Sequence, residues 1–385
     1  MDTSTIQTFV LKVASRCNLA CDYCYMYESA DQSWRRQPPK MARDVVETFC
    51  ERLQHYVRKR SLSRVLVVAH GGEPLLFGAS NLEHLFRTTR LAMDRVGCRL
   101  DLGIQTNGLL VTPEIVQVLQ RFGVRAGVSI DGPKAVNDLH RVDRRGRGSF
   151  DRVVKGISAL RNPISGDSVF GGVLSVANPN ISPRDTLNFF SDLGTPSVDF
   201  LLPDFNYDTI PESLASGRIG DWLVELFEIW YSGYPDLDIR IFHTIMKLFL
   251  GGTYGYDAFG SRGRGVVIVE SDGSYEGLDV LKTSYEGAGK TGLSVSNTPI
   301  DALEDLPIVR ALSEKASSAS AECIRCEFFG ACGGGYLPHR YSSKHKFDAP
   351  SVYCSDLKLL FRTIRSTVGN DGENLSRADK CEGYG

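Results

Sequence analysis

No stretch of the 385-residue chain approaches the ~20 apolar residues of a membrane span, and Met1 to Gln7 lacks the charged-then-apolar pattern of a secretory signal. A reducing cytoplasm is the expected setting. Charge of one sign is also missing: 44 Lys and Arg against 46 Asp and Glu leave a net charge of −2, which gives no bulk attraction to nucleic acid or an anionic membrane. Partners must come from local sites. The ten cysteines fall far below the density of a secreted disulfide scaffold, and in a cytosolic chain clustered cysteines more often bind metal. Internal repeats, low-complexity tracts and long charge blocks are absent too. With 42% hydrophobic residues the chain can bury a sizeable core.

What is present begins with Cys17, Cys21 and Cys24, three thiolates on one short loop after the apolar stretch Thr8 to Ala14. A structural zinc site takes four protein ligands, whereas a cuboidal 4Fe-4S cluster held by three cysteines leaves one iron open. The spacing points to redox chemistry at an open iron. A second constellation, Cys323, Cys326, Cys332 and Cys354, offers four ligands with no open position. A structural zinc site is one reading of it.

Strand-like runs alternate with helical ones: Thr8 to Ala14, Val65 to Ala69, Leu100 to Gln105, Arg125 to Ile130, Val169 to Val176 and Val198 to Leu202. Helical patterns such as Asp44 to Tyr56, and Pro113 to Phe122 with Thr112 as N-cap, fill the gaps. Six β-α units predict an α/β fold, a full or partial parallel barrel with functional groups at the strands' C-terminal ends. Near residue 235 the alternation stops. A glycine-rich passage from Gly251 to Gly265 then leads into a hairpin, Val266 to Val280, turning at Ser271-Asp272-Gly273-Ser274. These signals predict domains at 1–235 and 236–385, with a poorly ordered tail beyond Asn370.

Each strand end adds a polar motif. His70-Gly71-Gly72-Glu73-Pro74 offers close backbone approach and a carboxylate for an ammonium; Gln105-Thr106-Asn107-Gly108 can read hydroxyls; Ser129 and Arg141 can hold a carboxylate. Taken singly, each is good turn chemistry. Together they suit S-adenosylmethionine, whose amine and carboxylate could chelate an open iron. Arg141, Arg144, Arg145 and Arg147 also read as a solvated basic loop, Cys50 and Cys98 as small buried hydrophobes, Cys381 as a tail thiol, and His70 and His339 as structural histidines.

On the Cys-x3-Cys-x2-Cys run at Cys17, Cys21 and Cys24, the chain resembles the radical S-adenosylmethionine (SAM) enzymes. The resemblance implies a partial (β/α)6 TIM-like barrel and a reduced cluster that splits the sulfonium into methionine and a 5′-deoxyadenosyl radical, which takes a hydrogen atom from substrate. It implies that Tyr23 packs near the adenine, that Gly71, Gly72 and Glu73 bind the methionyl amine, that Ser129 and Arg141 hold the carboxylate, and that Asn107 lies on the ribose side. The four later cysteines resemble the SPASM extension, a twitch-like C-terminal domain with an auxiliary 4Fe-4S cluster. A full SPASM domain carries a further cluster, but Leu278 and Tyr336 stand where two of its cysteines would be, so one auxiliary cluster is expected. Asp279 follows the lost ligand, where sulfatase-maturating relatives place a catalytic carboxylate. Its other reading is an ordinary hairpin carboxylate.

The phrases Phe9-Val10-Leu11-Lys12, Ala30-Asp31-Gln32-Ser33-Trp34, Asp199-Phe200-Leu201-Leu202-Pro203, Cys332-Gly333-Gly334-Gly335 and Pro350-Ser351-Val352-Tyr353-Cys354 resemble FxsB-type peptide maturases. That resemblance implies a ribosomally made precursor peptide as partner, an electron donor such as flavodoxin or ferredoxin, and a cyclophane crosslink between an aromatic ring and a β-carbon. Epimerisation and thioether formation use the same machinery, and a noncatalytic zinc-binding scaffold is the reading outside enzymes. No separate leader-binding module is visible, since the barrel pattern begins almost at once.

Overall fold

A computed structural model describes residues 5–215, 217–252, 258–261 and 265–370. Gly255 and Gly263 of the glycine-rich passage, Cys381 and the tail beyond 370 lie outside the described residues. The strands in chain order are β1 (Ile6–Ala14), β2 (Arg64–Gly71), β3 (Arg99–Thr106), β4 (Arg125–Ser129), β5 (Phe170–Val176), β6 (Ser197–Leu201), β7 (Asp238–Ile239), β8 (Gly265–Val269), β9 (Ser274–Glu276) and β10 (Lys290–Ser294). The six strands expected from periodicity are the first six of these, displaced by a residue or two at their ends.

The chain divides into two compact units, 1–173 with 264–313, and 174–263 with 314–385. This differs from the single boundary expected near 235. In the first unit the strand order is β10-β9-β8-β1-β2-β3-β4. The reason for the difference is β8, which lies parallel to β1 with Val10 opposite Ile268 and Leu11 opposite Val269. Ladder hydrogen bonds therefore make the hairpin part of the first unit. Its turn is as expected: Glu270 N donates to Ser274 O at 2.9 Å and Gly273 N to Glu270 O at 2.8 Å.

Alternation along β1 divides its side chains between two faces. Phe9 turns to the helix Arg43–Arg60, meeting Phe49 and Tyr56 edge-on at 5.8 and 6.2 Å. Each buried ring contributes about 1.5–3 kcal/mol. Lys12 lies on the opposite face, level with His70 of β2. The helix Pro113–Phe122 starts as its sequence predicts, with Thr112 Oγ1 accepting from Ile115 N at 3.3 Å and Pro113 in the first turn. It ends at Gly123, where φ is +65°.

β5 crosses from the first unit to the second. In the second unit β6 runs parallel to β7, and the helix Cys354–Asn370 packs on the helices Arg218–Gly233 and Arg240–Phe249. Asp356 Oδ1 accepts from Gly220 N at 2.6 Å, and Phe361 gathers Phe249, Phe259 and Phe328 at 6.1, 5.9 and 5.8 Å. That aromatic cluster underlies the four later cysteines.

Candidate active site and cluster sites

The cysteine loop leaves β1 at Ala14 and is held by the loop that follows β2. Gly72 N donates to Ala14 O at 2.7 Å and Glu73 N to Arg16 O at 2.9 Å. A β-carbon on Gly71, whose φ is +145°, would collide with the Ala14 carbonyl; one on Gly72 would strike the Tyr27 hydroxyl and the Arg16 carbonyl. The paired glycines thus bring backbone against the cysteine loop, where the sequence suggested approach to a ligand. Cys17 Sγ accepts from Leu19 N at 3.3 Å and from Asn107 Nδ2 at 3.6 Å. Burial, with the Glu73 charge adding to it, pushes the Cys17 thiol up to about 12; burial lifts Cys21 to about 11, opposed by Arg141, and raises Cys24. Three half-buried thiols of this kind ionise when a cation replaces the proton.

Around this loop lie the residues expected to bind the nucleoside. Glu73 is fully buried, its carboxylate accepting from Leu75 N at 2.9 Å, Thr106 Oγ1 at 2.6 Å and Asn107 N at 2.8 Å. Asn107 Nδ2 donates to Asn18 Oδ1 at 2.7 Å, so its amide braces the cysteine loop. Ser129 Oγ accepts from Gln105 Nε2 at 3.0 Å, linking the ends of β3 and β4. Arg141 is buried while Arg144, Arg145 and Arg147 are exposed, so the basic cluster is solvated at only three of its four members. Arg141 Nη1 donates to the Tyr23 hydroxyl at 2.9 Å, and that hydroxyl donates to Asp131. Arg141 Nε and Asn18 Nδ2 are buried donors without a partner. Such atoms call for an acceptor supplied by a ligand.

Asp279 is buried, pairs with Lys12 and accepts from the Tyr25 hydroxyl at 2.6 Å. Burial alone would raise its pKa, yet the Lys12 ammonium beside it holds the carboxyl well below the ordinary range. His70 Nδ1 lies 3.2 Å from Lys12 Nζ, and burial with that ammonium lowers the imidazole to about 3, so it is neutral. Close by, Lys282 pairs with Glu276 and with Glu270 at 3.1 Å, all three buried. Two carboxylates share one ammonium there, and burial raises Glu276 to about 7. Sequence reasoning missed Lys12, Tyr25, Asn18 and Asp131 as site members. Only Lys12 carried a signal, a lysine inside the otherwise apolar run Phe9-Val10-Leu11-Lys12-Val13-Ala14.

In the second unit Cys323, Cys326, Cys332 and Cys354 line one cavity with Phe328, Phe329, Leu357 and Phe361. Gly333, Gly334 and Gly335 follow Cys332 with φ of +64°, +84° and +78°, a left-handed turn that L side chains resist. Leu278 is buried and Tyr336 half-buried, and neither side chain is an iron ligand. His339 is 3% exposed with both ring nitrogens lacking a hydrogen bond, between the rings of Tyr336 and Tyr353; as a structural histidine it is unsatisfied. Cys50 and Cys98 are buried, as expected of small apolar residues. Among the described residues no three His, Cys, Asp or Glu side chains gather around a single metal ion. A cuboidal cluster asks instead for thiolates on separate irons.

The Radical SAM superfamily matches residues 11–189, a stretch that contains the cysteine loop and every nucleoside-site residue described above. The chain is 26% identical over 363 residues to the serine-type anaerobic sulfatase-maturating enzyme of Bacteroides thetaiotaomicron, covering 88% of this chain and 84% of that one. It is 22% identical over 381 residues to the radical SAM cyclopropyl synthase TigE of Paramaledivibacter caminithermalis, covering 93% and 74%. Among solved structures, native anSMEcpe with bound AdoMet superposes with a TM-score of 0.81 at 22% identity, covering 96% and 100%.

The chain is therefore an enzyme with an open, partial TIM-like core, similar over residues 11–189 to the radical SAM superfamily and over most of its length to sulfatase-maturating enzymes and a cyclopropyl synthase. Radical SAM chemistry uses SAM and 4Fe-4S clusters, and the anSMEcpe structure carries bound AdoMet. The residues present fit them: three half-buried thiols on one loop, unpartnered donors at Asn18 and Arg141 beside it, and four cysteines around a separate cavity. No described helix is long and apolar enough to cross a membrane.

Proposed function

We propose that the chain is a radical SAM enzyme that modifies a ribosomally made precursor peptide, installing a carbon-carbon crosslink between an aromatic ring and a nearby β-carbon. Cys17, Cys21 and Cys24 hold the catalytic cluster; Glu73 and the Gly71-Gly72 backbone take the methionyl amine; Arg141 Nε and Ser129 take the carboxylate, with Tyr23 and Asn107 on the adenosine side. Bound together, SAM and the cluster supply a hydrogen-abstracting radical. The remaining steps fall to this chain's residues and the auxiliary site.

The observation that carries the reading is the fixed carboxylate at Asp279, ionised against Lys12 and hydrogen-bonded to Tyr25 next to Cys24. A β-carbon radical that adds to an aromatic ring must then lose one electron and one proton to restore aromaticity. Asp279, through Tyr25, is the acceptor for that proton, and geometry within hydrogen-bond reach suits the role. Cys323, Cys326, Cys332 and Cys354 would hold the auxiliary cluster, which would supply an acceptor for that electron, with a flavodoxin or ferredoxin as redox partner. Leu278 and Tyr336 support a single auxiliary cluster. The named relatives support a peptide substrate, and the FxsB-type phrases favour a crosslink over side-chain oxidation.

Coexpression with candidate precursor peptides and fragmentation mass spectrometry tests this. A crosslinked product is two hydrogens lighter, with missing fragments between the joined residues. A product of unchanged mass that takes up deuterium from heavy water would mean epimerisation. A cysteine-dependent product that is also two hydrogens lighter would mean a thioether.

A further inference from the structure

We propose that Arg340 is the buried counter-ion of the auxiliary cluster and keeps that cluster reducible enough to accept the electron released in crosslinking. The inference rests on the four-cysteine cluster site proposed above. Arg340 is 2% exposed and is among the largest fully buried side chains of the protein. Its guanidinium donates to three main-chain carbonyls: Nε to Ala349 O at 3.1 Å, and Nη2 to Phe347 O at 2.7 Å and to Ser318 O. Carbonyls satisfy donors but leave the charge unbalanced. Among the described residues no carboxylate pairs with it, although Asp348 lies near enough to act on it.

The other anions that act on Arg340 are the ionised forms of Cys323 and Cys332. A β-carbon placed on Gly334 would lie 3.8 Å from Arg340 Nη1 and 3.9 Å from Cys323 Cβ, so the guanidinium backs onto the cysteine loop. A buried cation without an ion-pair partner is costly, and a cluster bound by four thiolates supplies the missing negative charge. Two lysines share the neighbourhood: Lys315 acts on Cys332, and Lys358 lines the cavity and acts on Cys354. Glu322 lines the same cavity and opposes them. Each electron makes the cluster one unit more negative, so fixed positive charge favours its reduced form. Cluster potential follows local charge and hydrogen bonding in this way.

The test uses the full chain with Cys17, Cys21 and Cys24 all changed to Ala, so that only the auxiliary cluster contributes to a redox titration followed by electron paramagnetic resonance. Arg340→Met should change the reduced-to-oxidised ratio at fixed potential by roughly tenfold toward oxidised, about 59 mV for one electron. Arg340→Lys, which keeps the charge but not the fork, should recover most of the shift, and Lys358→Met should shift the ratio the same way by less. An unchanged ratio in an Arg340→Met protein that keeps its iron would overturn the proposal. So would an Arg340→Lys protein that behaves like Arg340→Met, since a mere carbonyl staple depends on the fork. If Arg340→Met loses its iron, Arg340→Lys decides: retained iron near the parent ratio supports the counter-ion, and lost iron refutes it. The readout needs neither peptide nor SAM. A titration that behaves as expected in a protein making no crosslink would therefore sink the crosslink reading alone, whereas zinc in place of iron would remove the cluster site itself.

Discussion

Lys12 and Asp279 form a buried ion pair that joins the end of β1 to the short 3-10 turn Asp279–Thr283 after the hairpin. Lys12 Nζ also contacts Tyr25 Oη at 2.8 Å and His70 Nδ1 at 3.2 Å, so one ammonium organises three polar side chains. Removing it strands a carboxylate away from water. Lys12→Met should destabilise the protein by about 3–5 kcal/mol in denaturant titration, and Lys12→Met with Asp279→Leu should recover much of that loss. If the single variant proved as stable as the parent, the pair would have no structural role. Because the folded pKa of Asp279 lies below its ordinary value of 3.8, this stabilisation is complete above that value and fades as pH falls through the folded one.

Glu276 gives the opposite sign. Its folded pKa, about 7, stands above the ordinary 4.5, so the fold favours the protonated acid. The resulting stabilisation is complete below 4.5 and disappears as pH rises through about 7. Glu276→Gln, always neutral, should flatten the stability profile across that interval. Thermal unfolding of both proteins at matched ionic strength would show it; parallel profiles would refute the assignment.

The two cysteine sets should be separable by metal analysis after anaerobic reconstitution. Changing Cys17, Cys21 and Cys24 to Ala should lower iron from about eight to about four per chain and abolish 5′-deoxyadenosine formation. Changing Cys323 and Cys326 to Ala should remove a similar amount of iron while sparing some nucleoside cleavage. Equal loss of cleavage and of all iron in both would show that the sites do not assemble independently.

Arg141 offers an unpartnered buried Nε–H next to the cysteine loop. A hydrogen bond to a charged group is worth about 1.5–3 kcal/mol, so Arg141→Met should weaken SAM binding roughly ten- to a hundredfold. Equilibrium dialysis on the reconstituted, unreduced protein measures this directly. Unaltered affinity would assign Arg141 to fixing Tyr23 and Asp131 alone.

Much of the chemistry was legible along the chain, because cluster ligands and strand periodicity are short-range patterns. Cys17, Cys21 and Cys24 sit within one loop, and alternation with a good N-cap at Thr112 shows β1 to β6 and the helix Pro113–Phe122 without any distant contact. What linear order hides is pairing between segments far apart. The hairpin's place beside β1, which moves the domain boundaries, depends on a ladder between Val10 and Ile268 that no local signal encodes. Gly71 and Gly72 read from sequence only as an approach to a ligand, and the fold alone shows that they also lie against the Ala14 and Arg16 carbonyls. Lys12 looked like one more strand residue, and only folding buries it against Asp279. Ligand identity and periodicity are carried by neighbours in sequence; charge balance and burial are decided by neighbours in space, and those exist only once the sheet has formed.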